Sequence, residues 1–147
     1  ALAKQKGITH KQVVGLQDIM PTLLDMAGAE IPKTLDGHSL YPMINGDKTP
    51  TREYVHGEHS GGIIGNQYIV TETDKFIWYM ESGEEQYFRL ETDPKELKNE
   101  IHNPQFQERI NYLRNILIQE LTGREEGYTD GVHLIKGCPQ KAVLEKS

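Results

Sequence analysis

Three side chains of catalytic or ligating type fall within four positions, at His56, Glu58 and His59, beside Gly57 and just ahead of Ser60-Gly61-Gly62. Imidazole and carboxylate groups can exchange hydrogen bonds with a polar substrate, and both are metal-ligand types. They stand at the end of an extended segment, Arg52 to His59, where a flexible loop begins, a common position for site residues on a rigid scaffold. Alternation along a strand puts His56 and Glu58 on one face and His59 on the other, unless the strand has already ended. Three readings stay open: contact with a substrate, a polar strand end at the surface or between domains, and a two-His/Glu metal site. The spacing is not that of the helical His-Glu-x-x-His pair. His38, between Gly37 and Ser39, is a fourth candidate for substrate proximity, weighed against simple packing of its loop.

These residues need elements to hold them. A polar, basic first ten residues leads into a short strand predicted at Gln12 to Leu16. A helix then begins at Asp18, read as its cap, with Pro21 in the first turn, Met20, Leu23, Leu24 and Ala27 at i, i+3, i+4, i+7, and Gly28 as the stop. Ser39 to Asn45 is predicted as a short helix ending at Gly46. A hairpin is expected from Gln67–Glu72 and Lys75–Met80, turned at Thr73-Asp74. Its second strand is apolar on both faces, so it should be central and covered, with Trp78 in the core rather than stacked on a sugar. Gln86 to Leu90 supplies another strand across Ser82-Gly83. Asn103-Pro104 caps a long helix whose stripe of Phe106, Ile110, Leu113, Leu117 and Leu121 suits packing on a sheet, and Gly123 ends it. An irregular tail follows from Arg124.

The 147 residues carry a net charge of −6, with 22 acidic against 16 basic side chains, which disfavours a nucleic-acid partner. No apolar run approaches the roughly 20 residues that span a bilayer, so no membrane partner is expected. The single cysteine, Cys138, excludes an internal disulfide and a multi-cysteine metal site.

Three segments, in order, carry a family resemblance. Asp18-Ile-Met-Pro21-Thr22-Leu-Leu-Asp-Met-Ala-Gly28 is similar to the sulfatase helix "D-x-x-P-T-L-L-x-x-A-G". Leu35-Asp36-Gly37-His38-Ser39-Leu40-Tyr-Pro-Met-Ile-Asn-Gly46 resembles the loop that follows it. The hairpin through Lys75-Phe-Ile-Trp-Tyr-Met80, with Glu85 to Leu90 and Asp93-Pro94-Lys-Glu96-Leu-Lys-Asn99, resembles the C-terminal sulfatase subdomain. Each segment alone is moderately specific; their order and spacing make the combination strong. Local physics explains the same residues as caps and turns.

The resemblance implies an α+β fold: a small antiparallel sheet of about four strands packed by a long C-terminal helix, preceded by a strand–helix element of the large sulfatase α/β domain. The implied division is 1–46 for that terminal element, 47–123 for the C-terminal subdomain and 124–147 for the tail. Sulfatases use a formylglycine nucleophile, made from Cys or Ser in a Cys/Ser-x-Pro/Ala-x-Arg signature, and a divalent cation, usually calcium. Pro139 directly follows Cys138 and no arginine sits four residues on, so Cys138 is not that nucleophile. Asp36, Asp47, Asp74, Asp93 and Asp130 are scattered among turns, unlike the clustered oxygen ligands calcium prefers, and each is read as a turn or cap residue. No catalytic residue, metal site or cofactor is therefore expected in this chain, with calcium and formylglycine implied for the parent enzyme. The resemblance also implies that the region around His56, Glu58 and His59 faces the active-site cleft. The expected partners are the rest of the large domain and, through it, a sulfated glycan or aryl sulfate, in a periplasmic or extracellular setting. The alternatives are a sulfated-sugar binding module and a phosphoesterase of the alkaline-phosphatase superfamily. Val13, Ile19 and Leu23 are expected to be exposed or to drive self-association if their parent sheet is missing.

Overall fold

The computed structural model describes residues 7–47, 52–59 and 64–138. Contacts divide the chain into two compact units, Ala1–Val55 and His56–Ser147. The helices are α1 (Ile19–Met26), α2 (Tyr41–Ile44) and α3 (Gln107–Leu121); the strands are β1 (Tyr54–His59), β2 (Asn66–Thr71), β3 (Asp74–Tyr79) and β4 (Glu85–Arg89).

In the first unit the strand expected at Gln12 to Leu16 does not form. The backbone is extended at Gly15, but a 3-10 turn takes Leu16–Asp18 directly into α1. Extended geometry becomes a strand only when a neighbour supplies the ladder. Val13, expected to be exposed, is buried, whereas Ile19 and Leu23 are 54% and 58% exposed. Helix α1 is stitched to the loop after it by side chains. Thr22 Oγ1 donates to the Asp18 carbonyl at 2.6 Å and accepts from the Leu40 N–H at 2.9 Å. Ser39 Oγ donates to Asp25 Oδ2 at 2.5 Å and accepts from the Tyr41 N–H at 3.1 Å.

The four strands form one sheet in the order β1-β2-β3-β4. Strands β2 and β3 pair antiparallel with Val70 opposite Lys75, and β3 pairs antiparallel with β4 with Phe76 opposite Tyr87. The hairpin turn therefore sits at Glu72-Thr73, one residue earlier than the pattern suggests, and Asp74 is the first residue of β3. Phe76, Ile77 and Trp78 are all buried, as a central strand covered on both faces requires. Against the sheet, α3 buries Ile110, Leu113, Ile116, Leu117, Ile118 and Leu121. Part of the tail joins this core: Tyr128 is buried with its ring edge-on to Trp78, centroids 6.0 Å apart.

The Asp93-Pro94 turn protects the free edge of β4. Asp93 Oδ2 accepts from the Lys98 N–H at 2.9 Å, and Glu96 pairs with Lys75 of β3 at 3.0 Å. Asn99 Oδ1 takes the outward Tyr87 N–H at 3.0 Å, and the Glu100 N–H donates to the Tyr87 carbonyl at 2.9 Å. The outward N–H and carbonyl of Tyr87, which would otherwise invite another strand, are thus satisfied within the chain.

Asp74, expected to serve as a turn residue, instead joins the hairpin, β4 and α3. Its carboxylate is buried and accepts from Thr71 Oγ1 at 2.5 Å, Tyr87 Oη at 3.2 Å and Arg109 Nε at 2.8 Å. Burial opposes ionisation, but hydrogen bonds from Arg109 and Thr71 outweigh it and hold the carboxyl below the usual range. Burial first, then the Asp74 charge, pushes the Tyr87 phenol up to about 12. The folded state thus keeps a proton that an unfolded tyrosine, with a pKa near 10, releases. This stabilisation is complete below about pH 10 and is lost as pH rises toward about 12. Urea unfolding at several pH values should show a steeper alkaline loss of stability for the natural chain than for Tyr87→Phe; parallel curves would refute the coupling.

Candidate functional site

The four predicted site residues fall in two places, one in each unit. In the first, Asp18 is fully buried at the start of α1. It was expected to cap the helix, yet its side chain makes no cap hydrogen bond to α1. Oδ2 accepts from the Gly15 N–H at 2.8 Å, and Oδ1 accepts from the His38 N–H at 2.9 Å and pairs with Arg52. Arg52 Nη2 also donates to His38 Nδ1 at 2.8 Å. Arg52 Nε is buried with no hydrogen-bond partner among the described residues. The loop carrying His38 lies so close to the 3-10 turn that a Cβ on Gly37 would stand 1.9 Å from the Gln17 carbonyl oxygen. The obstacle is backbone, so only glycine fits. His38 itself is exposed.

The second place is the inner part of the sheet. Alternation correctly puts His56 and Glu58 together, but the group joining them is Gln67 of β2, which is fully buried. His56 Nε2 donates to Gln67 Oε1 at 2.8 Å, and Gln67 Nε2 donates to Glu58 Oε2 at 2.9 Å. Arg124, just past α3, reaches the same Glu58 oxygen at 2.8 Å and Glu126 at 2.6 Å. Burial works against the Glu58 charge, but the Gln67 and Arg124 hydrogen bonds prevail and lower its pKa. On the other side of the ring, His56 Nδ1 lies 3.9 Å from Glu120. His59 is exposed at the end of β1. Gly57 lets β2 approach: a Cβ there would sit 2.1 Å from the Tyr68 ring. Residues 60–63, part of the expected glycine-rich loop, lie outside the described residues.

Sequence reasoning missed Gln67 and Arg124. Position 67 faces inward in a strand whose alternate residues Ile69 and Thr71 are buried, so a glutamine there had to find buried polar partners. Arg124 follows the helix-ending glycine, and its partner Glu58 lies 66 residues away, beyond the reach of any local pattern.

No group of three or more His, Cys, Asp or Glu converges as metal ligands among the described residues. Three of the aspartates have other partners: Asp74 faces Arg109, while Asp93 and Asp130 accept backbone N–H groups in turns. The Cys138 thiol donates to the Gly127 carbonyl at 3.3 Å, a loop contact. The chemistry these two places can supply is directed hydrogen bonding and charge.

A four-stranded antiparallel sheet under one long helix, with the Asp-Pro turn sealing its edge, defines a sulfatase-type C-terminal α+β subdomain. Residues 2–123 match the family model "N-sulphoglucosamine sulphohydrolase, C-terminal", and the chain belongs to that family. It is 55% identical over 138 residues to an arylsulfatase of Clostridium perfringens, covering 94% of this chain and 29% of that one. Among solved structures, it resembles a protein captured with its substrate D-glucosamine-2-N,6-O-disulfate: 25% identity, TM-score 0.64, 71% of this chain and 23% of the other. A phosphonate monoester hydrolase of Agrobacterium radiobacter shares the fold, at 22% identity and TM-score 0.55, over 69% of this chain and 23% of the other.

Removing one member of a buried ion pair leaves the other charge uncompensated, at a cost of about 3–5 kcal/mol. Asp18→Ala should therefore destabilise the chain by about that amount in denaturant unfolding, and a loss below about 1 kcal/mol would show that Asp18 does not anchor its unit.

Proposed function

We propose that this chain is the C-terminal part of a sulfuric ester hydrolase acting on a sulfated sugar, where it shapes the substrate cleft and leaves bond breaking to residues elsewhere in the enzyme. Residues 1–46 would end the large domain, 47–123 would form the C-terminal subdomain and 124–147 its tail. Calcium and the formylglycine nucleophile would belong to the remainder of the enzyme, and a periplasmic or extracellular setting would go with that reading. His38, His56, Glu58 and His59 are the candidates for substrate contact. Of these, the polar ends of His56 and Glu58 meet Gln67, which suits them to fixing the strand from which His59 projects.

The observation that carries this reading is the 55% identity to an arylsulfatase across nearly the whole chain. The sugar preference draws on the solved relative with its disulfated glucosamine. The full-length enzyme should release sulfate from a sulfated amino sugar and from 4-nitrophenyl sulfate, while residues 1–147 alone release none. Sulfate release by this chain alone would overturn the division of labour. Phosphonate or phosphate ester hydrolysis without sulfate release by the full enzyme would favour the phosphoesterase alternative.

The exposed stripe of Leu16, Ile19, Met20 and Leu23 fits a partner surface, which we assign to the rest of the large domain. Deprived of it, the chain should self-associate: sedimentation should show concentration-dependent dimers for residues 1–147 that Leu23→Glu abolishes. A monomer at high concentration would count against this assignment.

A further inference from the structure

We propose that His38 is a substrate-binding residue that donates a hydrogen bond from ring Nε2 to an oxygen on the sugar portion of the substrate, in a tautomer set by Arg52 and Asp18. This rests on the reading of the chain as part of a sulfatase acting on a sulfated sugar. A guanidinium has donors and no acceptor, so the 2.8 Å contact from Arg52 Nη2 makes His38 Nδ1 the acceptor. The neutral ring then carries its proton on Nε2. Asp18 fixes both ends of the arrangement: it accepts the His38 backbone N–H at 2.9 Å and holds the same Nη2 of Arg52. The two supporting side chains are withdrawn from solvent, Asp18 fully and Arg52 to 12% exposure, while the imidazole they orient is exposed. Gly37, pressed against the Gln17 carbonyl, keeps the loop from drifting.

A histidine that only filled space in its loop would not need its ring oriented at the surface. The arrangement also limits the chemistry. Nδ1 faces a cation's N–H and Nε2 already bears a proton, so His38 cannot serve as a general base in this geometry. What it offers is one directed neutral donor, which suits a sugar hydroxyl or carboxylate oxygen. Recognition of that kind discriminates against substrates that lack the oxygen, because the donor is then left unpaired.

The test compares the full-length enzyme with its His38→Ala and His38→Gln variants on a sulfated amino sugar and on 4-nitrophenyl sulfate, which has no sugar oxygens. His38→Ala should raise KM for the sulfated sugar about 10- to 100-fold while leaving kcat within about threefold. Its kinetics on the aryl sulfate should be unchanged. His38→Gln, whose amide N–H reaches the same place, should recover most of the lost affinity. Equal losses on both substrates would assign His38 a scaffolding role and overturn the proposal, as would no loss on either. Should His38→Ala fold poorly, His38→Gln decides: a tenfold or greater rise in sugar KM overturns the proposal, and near-natural KM supports it. A natural enzyme that releases sulfate from neither substrate would instead overturn the sulfatase reading on which this rests.

Discussion

A carboxylate taken out of water must recover from the protein the hydrogen bonds that water supplied, and the larger unit is built around one that does. Asp74 gathers the hairpin turn through Thr71, the neighbouring strand through Tyr87 and the long helix through Arg109. The apolar contacts of Ile110, Leu113 and Leu117 supply attraction without direction, since hydrophobic burial is nearly indifferent to small rotations of a helix. The bidentate contacts of Arg109, 2.8 and 3.1 Å from the two Asp74 oxygens, are directional and set where along the sheet the helix sits. The cost of the arrangement is that each partner becomes indispensable, because any one removed leaves a buried polar group unmatched.

The same device recurs with Gln67. Its amide is buried between a donor, His56, and an acceptor, Glu58, so it can satisfy both only in one orientation. Glu58 in turn draws in Arg124, which ties the segment just past α3 to the end of β1. A strand end that reads in isolation as three loose polar groups is therefore largely an internal network. Glu58 and His59 are both exposed there, but the Glu58 carboxylate is already engaged by Gln67 and Arg124.

Elements with a strong period were legible from sequence. The apolar stripe of α3, the two-sided strand β3 and the Pro-Thr-Leu-Leu helix all formed, because each pattern is local and repeats, although Pro104–Phe106 opens the long helix as a 3-10 turn and α3 begins at Gln107. The strand at Gln12 to Leu16 was not legible, since alternation reports an extended backbone but not the neighbour that would make it a strand. Asp18 and Asp74 failed in the opposite direction. Both satisfy local rules for caps and turns, yet their principal partners, Arg52 and Arg109, lie 34 and 35 residues further along the chain. No local rule can distinguish an aspartate that caps a turn from one that holds a distant arginine. Burial is the property that separates them, and burial belongs to the fold.

That distinction applies equally to the family motifs, whose residues are architectural. In Asp93-Pro94-Lys-Glu96-Leu-Lys-Asn99, aspartate closes the turn, glutamate meets Lys75 and asparagine takes the unpaired N–H of Tyr87. In the earlier motif, Thr22, Asp25 and Ser39 sew a helix to its loop. A polar residue that is obligatory for a fold leaves the same mark in a sequence as one obligatory for a reaction. What tells them apart is whether the polar atoms are consumed inside the chain. By that criterion nearly every motif residue is accounted for internally, and His38 stands out as the one whose ring is oriented by buried groups while its Nε2–H remains at the surface.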